Sequence, residues 1–331
     1  MLFQKRKTFG EICPAVQEAN SELKLIIFGD DASPYRGLMA PVFAPFSSDG
    51  KLNLEEIPKY GRYLFENSVK GVLVNGTVGE GALLSIEERK SVLEIWMDVA
   101  RALDIFVMVH VGAANMNGVI ELAKYAESVG ADSILCLPDM FFRPTTITDL
   151  VDYLKVISAA VPKTPLFYYN YPDLTGVKLD MVEFLKVGFK EIPTLSGLKY
   201  THNNLDEGIR CVELYDRKFT IFLGCDQLIF AGFCAGFDSM IATTLNFAHE
   251  EIIEIQKKTE KGDNEVARNL QRRITDLVYL LIPDVPFISG MKAVVSKISG
   301  VQLGEPRLPI RKLTTANLEK LEKELKDRKW I

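Results

Sequence analysis

Lys199 closes a short apolar run, TLSGLKYTH (194–202), at a point where a buried strand would ordinarily carry another aliphatic residue. Burial disfavours the ammonium form of an amine, and the neutral amine attacks carbonyl carbon, so a lysine on a rigid strand inside a fold is suited to forming an imine. The competing reading is a strand-end lysine whose stem lies on apolar surface while its head reaches water. In PLFYYNYP (165–172), Tyr169 is either a packed aromatic with a satisfied hydroxyl or a phenol that carries protons to and from a substrate hydroxyl, as aldol cleavage demands. NGTVGEG (75–81) lacks the GK[ST] ending of a phosphate-binding loop and the full dinucleotide fingerprint. It is either a tight turn that needs glycine for its geometry or a turn whose free N–H groups hold a carboxylate, with Glu80 capping the helix that follows.

These residues need elements to position them. Eight apolar runs suit buried parallel strands: GLMAPV, GVLV, IFVMV, SILCL, PLFYY, TLSGL, FTIFL and SMIA, beginning at residues 37, 71, 105, 133, 165, 194, 219 and 239. Helical patterns separate them. In VIELAKYAESVG, Val119, Leu122, Ala123, Ala126 and Val129 share one face and Gly130 supplies the stop. Eight strand–helix units predict an α/β fold, a (β/α)8 TIM barrel over residues 37–262, with an N-terminal extension (1–36) and a C-terminal helical extension (263–331) on its outside. In such a barrel the chemistry collects just after the strands. Thr77, Tyr169, Lys199, Asp226 and Thr243 all fall there.

Composition narrows the partners. At 47% hydrophobic and 25% charged the chain reads as an ordinary globular protein, and a net charge of −5 with both signs interspersed argues against nucleic acid or an anionic membrane surface. No apolar segment reaches the roughly 20 residues of a spanning helix. Five scattered cysteines (Cys13, Cys136, Cys211, Cys225, Cys234) read as free thiols of a reducing, cytoplasmic compartment. The three histidines show no metal-ligand spacing. Glu11, Glu18 and Glu22 conflict with an organellar presequence.

The set GLMAPVFAPF, VNGTVGEG, YYNYPDLTGVKL, GLKYT and LGCDQ, running in order from Gly37 to Pro309, resembles the dihydrodipicolinate synthase / N-acetylneuraminate lyase family of pyruvate-dependent class I aldolases. HVGA, IPTLSGLK and PRLP lean toward the lyase branch. So do Phe141 and Phe142, which stand in place of the synthase tyrosine, and Leu174, which stands in place of the synthase arginine.

The resemblance implies imine formation at Lys199, proton relay by Tyr169, and a carboxylate held by Thr77 and the Val78 N–H. It implies a sugar-binding set of Thr201, Gly224, Asp226, Gln227 and Thr243. It further implies no metal or organic cofactor, because the imine is the electron sink, and a homotetramer. The substrate would be a keto-acid sugar, N-acetylneuraminate foremost, cleaved to pyruvate and N-acetylmannosamine. Val78 departs from the usual hydroxyl, Gln227 from an acid, Ala242–Thr243 from Gly–Ser and Leu245 from an aromatic. These departures leave open an aldolase for another 2-keto-3-deoxy sugar acid, or a non-catalytic relative that binds keto acid or sugar.

Overall fold

The computed structural model describes residues 35–281 and 286–331, so the expected extension, except for Tyr35 and Arg36, lies outside the described residues, as does Cys13. Eight strands form a closed parallel barrel in sequence order. They are β1 (Leu38–Pro41), β2 (Gly71–Val74), β3 (Phe106–His110), β4 (Ser133–Cys136), β5 (Leu166–Asn170), β6 (Leu195–Tyr200), β7 (Thr220–Leu223) and β8 (Ser239–Ile241). Each matches one of the eight apolar runs, because a strand covered on one side by helices and on the other by the barrel interior has almost no polar face to show. Around it run α1 (Glu56–Glu66), α2 (Ile86–Leu103), α3 (Met116–Val129), α4 (Ile147–Ala160), α5 (Pro172–Thr175), α6 (Met181–Glu191), α7 (Leu205–Glu213), α8 (Ile229–Cys234) and α9 (His249–Glu260). These are followed by α10 (Asn264–Leu281), α11 (Phe287–Ser299) and α12 (Thr315–Asp327).

The expected face of α3 is correct: Val119, Leu122, Ala123 and Ala126 are buried, and Gly130 ends the helix at φ 80°. Strand alternation separates two apolar layers. Residues pointing outward join the large cluster between sheet and helices. Those pointing inward, among them Met39, Leu73, Met108, Leu135, Phe167, Tyr169, Phe222 and Ile241, fill the barrel. Tyr35 closes the N-terminal mouth, stacked 4.6 Å from Phe106 with its hydroxyl donating to Leu38 O at 2.8 Å. Among the described residues the N-terminal mouth is therefore filled by aromatic side chains. Among the described residues no helix is long and apolar enough to cross a membrane.

Candidate active site

Lys199 and Tyr169 are neighbours across β5 and β6, paired directly in register. Their meeting inside the barrel depends on an irregularity. Leu166 pairs with Leu195, yet the next residue, Phe167, pairs with Gly197, so Ser196 is an extra residue in β6. Leu195 packs outward, with Gly188 of α6 so close that a Cβ there would lie 2.6 Å from Leu195 Cδ2. Leu198, three residues on, also points outward. In a regular strand those two would face opposite ways; the extra residue reverses the alternation and turns Lys199 inward. Gly197 makes this possible, since at its φ of 155° a Cβ would meet Thr220 O at 1.8 Å.

Lys199 is 5% exposed, and its Nζ donates to Tyr169 Oη at 3.0 Å while lying 4.1 Å from the ring centroid. Tyr169 Oη meets Thr77 Oγ1 at 3.2 Å. Amine, phenol and alcohol thus form one chain of polar atoms across three strand ends. Thr77 comes from the glycine-rich turn after β2. The Thr77 and Val78 N–H groups have no backbone acceptor among the described residues, and the Val78 side chain packs in the outer core. The turn closes tightly because Gly81 sits against Asn75 O, which a Cβ would reach at 2.0 Å.

The expected capping role of Glu80 is corrected here. Glu80 makes no side-chain cap, lies at φ 54°, and pairs with Lys292 of α11 at 2.7 Å. Its second oxygen accepts the Arg307 N–H. The residue anchors the turn to the C-terminal part of the chain. The helix after the turn is capped by Ser85, which forms a capping box with Glu88.

On the opposite side of the rim, short 3-10 turns after β7 (Asp226–Leu228) and β8 (Thr243–Asn246) carry the expected sugar-binding residues. Asp226 Oδ1 accepts the Thr244 N–H at 2.6 Å, and the Thr243 N–H faces the same carboxyl. Burial pushes its carboxyl above the usual range, opposed by those hydrogen bonds and by the charge of Lys199. Thr243 is buried, and its carbonyl is held by Asn246. Gln227 is half-buried, and its side chain has no hydrogen-bond partner among the described residues. Thr201 Oγ1 is buried with no hydrogen-bond partner among the described residues and touches Gly224, where a Cβ would lie 2.2 Å from it. The nine expected residues therefore form two groups, a bonded chain around Lys199 and a separate set around Asp226, linked through the field of Lys199.

Three further residues belong to the site. His110 ends β3 with the Asn75 backbone beside its imidazole, no side-chain partner for either ring nitrogen among the described residues, and its ring edge-on to Tyr169 at 6.1 Å. Burial, Arg89 and Lys199 together push its imidazole well below its ordinary pKa, so it is neutral. Arg89 is buried and donates to the carbonyls of His110 and Gly112, with no carboxylate partner among the described residues. Burial lowers its pKa to about 10, which still leaves a full positive charge at neutral pH. Two cations flanking a neutral imidazole favour an anionic ligand. Tyr171, just past β5, stacks on Tyr169 at 6.0 Å. His110 and Tyr171 satisfied the strand-end rule used for the other residues; Arg89 sits mid-helix and gave no such signal.

The Dihydrodipicolinate synthetase family matches residues 34–328. The chain belongs to that family. The N-acetylneuraminate lyase of Mus musculus is 34% identical over 293 residues, which is 88% of this chain and 92% of that protein. Among solved structures, N-acetylneuraminate lyase of Proteus mirabilis superposes with a TM-score of 0.86 at 29% identity, covering 90% of this chain and all of that one. A Ruminococcus gnavus sialic acid aldolase, solved as its catalytic lysine mutant, gives 0.82 at 26% identity, over 89% of this chain and 97% of that one.

Proposed function

We propose that the protein is a Schiff-base lyase that cleaves N-acetylneuraminate into pyruvate and N-acetylmannosamine. The observation that carries this reading is the Lys199–Tyr169–Thr77 chain at the open rim of the barrel. The lyases of this family and the aldolase with a catalytic lysine support it.

The substrate carboxylate lies on the Thr77 and Val78 N–H groups, in the field of Lys199 and Arg89. Lys199 attacks C2 of the open-chain keto acid, and loss of water gives the protonated imine. The imine draws in the electron pair of the C3–C4 bond as that bond breaks. Tyr169 gives its own proton to the departing water as the imine forms, and then takes the proton leaving the C4 hydroxyl, which becomes the aldehyde carbonyl. It returns that proton to C3 of the enamine, while Thr77 Oγ1 holds the Tyr169 oxygen in place. Protonation of the enamine at C3 and hydrolysis of the imine release pyruvate and restore Lys199. Asp226, Gln227, Thr243, Thr201 and Gly224 receive the hydroxyls of the sugar chain. The same reading makes the protein a cytoplasmic homotetramer, in which Phe141 and Phe142, 85% and 81% exposed, gain cover from a neighbouring copy.

Incubation with pyruvate, reduction with borohydride and peptide mapping test the reading directly. A mass increase on the Lys199 peptide and pyruvate release from N-acetylneuraminate are expected. No adduct would refute the imine. An adduct with faster release from 2-keto-3-deoxygluconate would reassign the substrate.

A further inference from the structure

The 3-10 turn that carries Asp226 and Gln227 is held from outside the barrel. Gln271, a buried residue of α10, lies against it. Gln271 Oε1 accepts the Phe230 N–H at 2.8 Å, and Gln271 Nε2 donates to Asp226 O at 3.0 Å. Those two backbone groups are four residues apart, the spacing at which an α-helix bonds them to each other. Among the described residues no such bond joins them, and the amide stands between them as an inserted peptide group would. Leu228, at the start of α8, makes no side-chain cap, so Gln271 supplies one from another helix. Thr275 fixes the sense of the amide: its Oγ1 accepts the other N–H of Nε2 at 3.0 Å, which leaves the amide oxygen for Phe230. Without the amide, α8 is free to wind back one turn by closing the Phe230 N–H on Asp226 O. That winding would draw the Asp226 carboxyl away from the Thr244 N–H, which it accepts at 2.6 Å and which ties this turn to the one carrying Thr243.

We propose that Gln271 is a positioning residue for substrate recognition, its amide holding the turn after β7 open so that Asp226 and Gln227 meet the hydroxyls of the sugar chain. This deepens the imine-lyase reading and rests on it. It also gives a helix outside the barrel a part in the site. The effect is confined to one half of that site. Lys199, Tyr169 and Thr77 are bonded to one another, whereas the bonds of Gln271 run to Asp226, Phe230 and Thr275. Hydroxyls remote from the breaking bond are held alike in the bound substrate and in the transition state, so misplacing their partners raises KM and leaves kcat. Pyruvate has no hydroxyl chain and does not register the change.

The test compares the full chain with Gln271→Met, which keeps the length of the side chain and removes its donor and acceptor, and with Gln271→Asn, which keeps the amide on a stem one methylene shorter. Gln271→Met should raise KM for N-acetylneuraminate roughly 5- to 30-fold while kcat stays within about twofold of the parent. Gln271→Asn should raise it less. The pyruvate concentration that half-saturates the rate of borohydride trapping on Lys199 should not move in either variant. An unchanged KM in Gln271→Met overturns the proposal, and if that variant does not fold, an unchanged KM in Gln271→Asn overturns it instead. A fall in kcat together with a shift in pyruvate half-saturation also overturns it, because Gln271 would then support the barrel as a whole. A parent protein that traps no pyruvate on Lys199 overturns the proposed function itself, before any variant is made.

Discussion

Lys292→Met removes the ammonium from the ion pair with Glu80, whose two side chains are 1% and 0% exposed. Burial holds Lys292 below its ordinary pKa even though Glu80 opposes the shift, so the attraction does not repay the loss of water. The pair as a whole therefore adds little stability, and the penalty comes from removing only one member. In Lys292→Met the Glu80 carboxylate keeps the Arg307 N–H at 2.8 Å and only the more distant charge of the Arg307 guanidinium, which is itself paired with Glu88. A buried charge left unpaired in this way costs about 3–5 kcal/mol, which lowers the thermal midpoint by roughly 4–7 °C in a chain of this size. The double variant Glu80→Gln/Lys292→Met carries no charge and retains most of the volume, so it should recover most of that loss. Thermal unfolding followed by circular dichroism on the two variants and the parent decides the matter. The reasoning fails if the single substitution costs less than about 1 kcal/mol, the range of an exposed pair, or if the double variant is no more stable than the single one.

Tyr169→Phe keeps the ring contacts with His110 and Tyr171 but deletes the atom that joins Lys199 to Thr77; kcat should fall roughly 10²- to 10⁴-fold while pyruvate is still trapped on Lys199, and a fall of less than about tenfold would remove Tyr169 from the proton path. Stability should also depend on pH through His110 and His249, both held below the ordinary 6.5 by burial. The unfolded chain takes up protons there that the folded chain refuses, so this contribution is present in full above pH 6.5 and is lost as the pH falls, by at most about 1.4 kcal/mol per pH unit for each histidine. His110→Asn should flatten the slope of stability against pH between 6.5 and 5.5 by roughly 1 kcal/mol per unit; an unchanged slope in urea titrations across that window would refute the assignment.

The barrel was legible because each strand is apolar on both faces and each turn breaks the pattern with glycine or a polar residue. The strand-end rule then located Thr77, Tyr169, Lys199, Asp226 and Thr243 without any distance being known. Other features needed the third dimension. Glu80 meets Lys292 across 212 positions of sequence, and a local reading offers it only the nearby helix start. Arg89 looks like one more charge on an amphipathic helix until the barrel brings the carbonyls of His110 and Gly112 to it. His110 was weighed only for metal spacing, and the lack of a side-chain partner for its nitrogens among the described residues is a fact of packing. Likewise, nothing in TLSGLKYTH announces which glycine or serine is the extra residue.

That extra residue makes the direction of Lys199 a matter of odd and even. With Ser196 taken into the ladder as an ordinary strand residue, the same side chains would follow in the same order, yet counted from Leu195 the amine would project among the surrounding helices and Leu198 would confront the ligand. Selection at this point acts on a count of residues as much as on their identities. A related chain that keeps the lysine and lacks the extra position would aim the amine inward without a bulge, whereas one that keeps that position and pairs it would aim the amine away from the ligand.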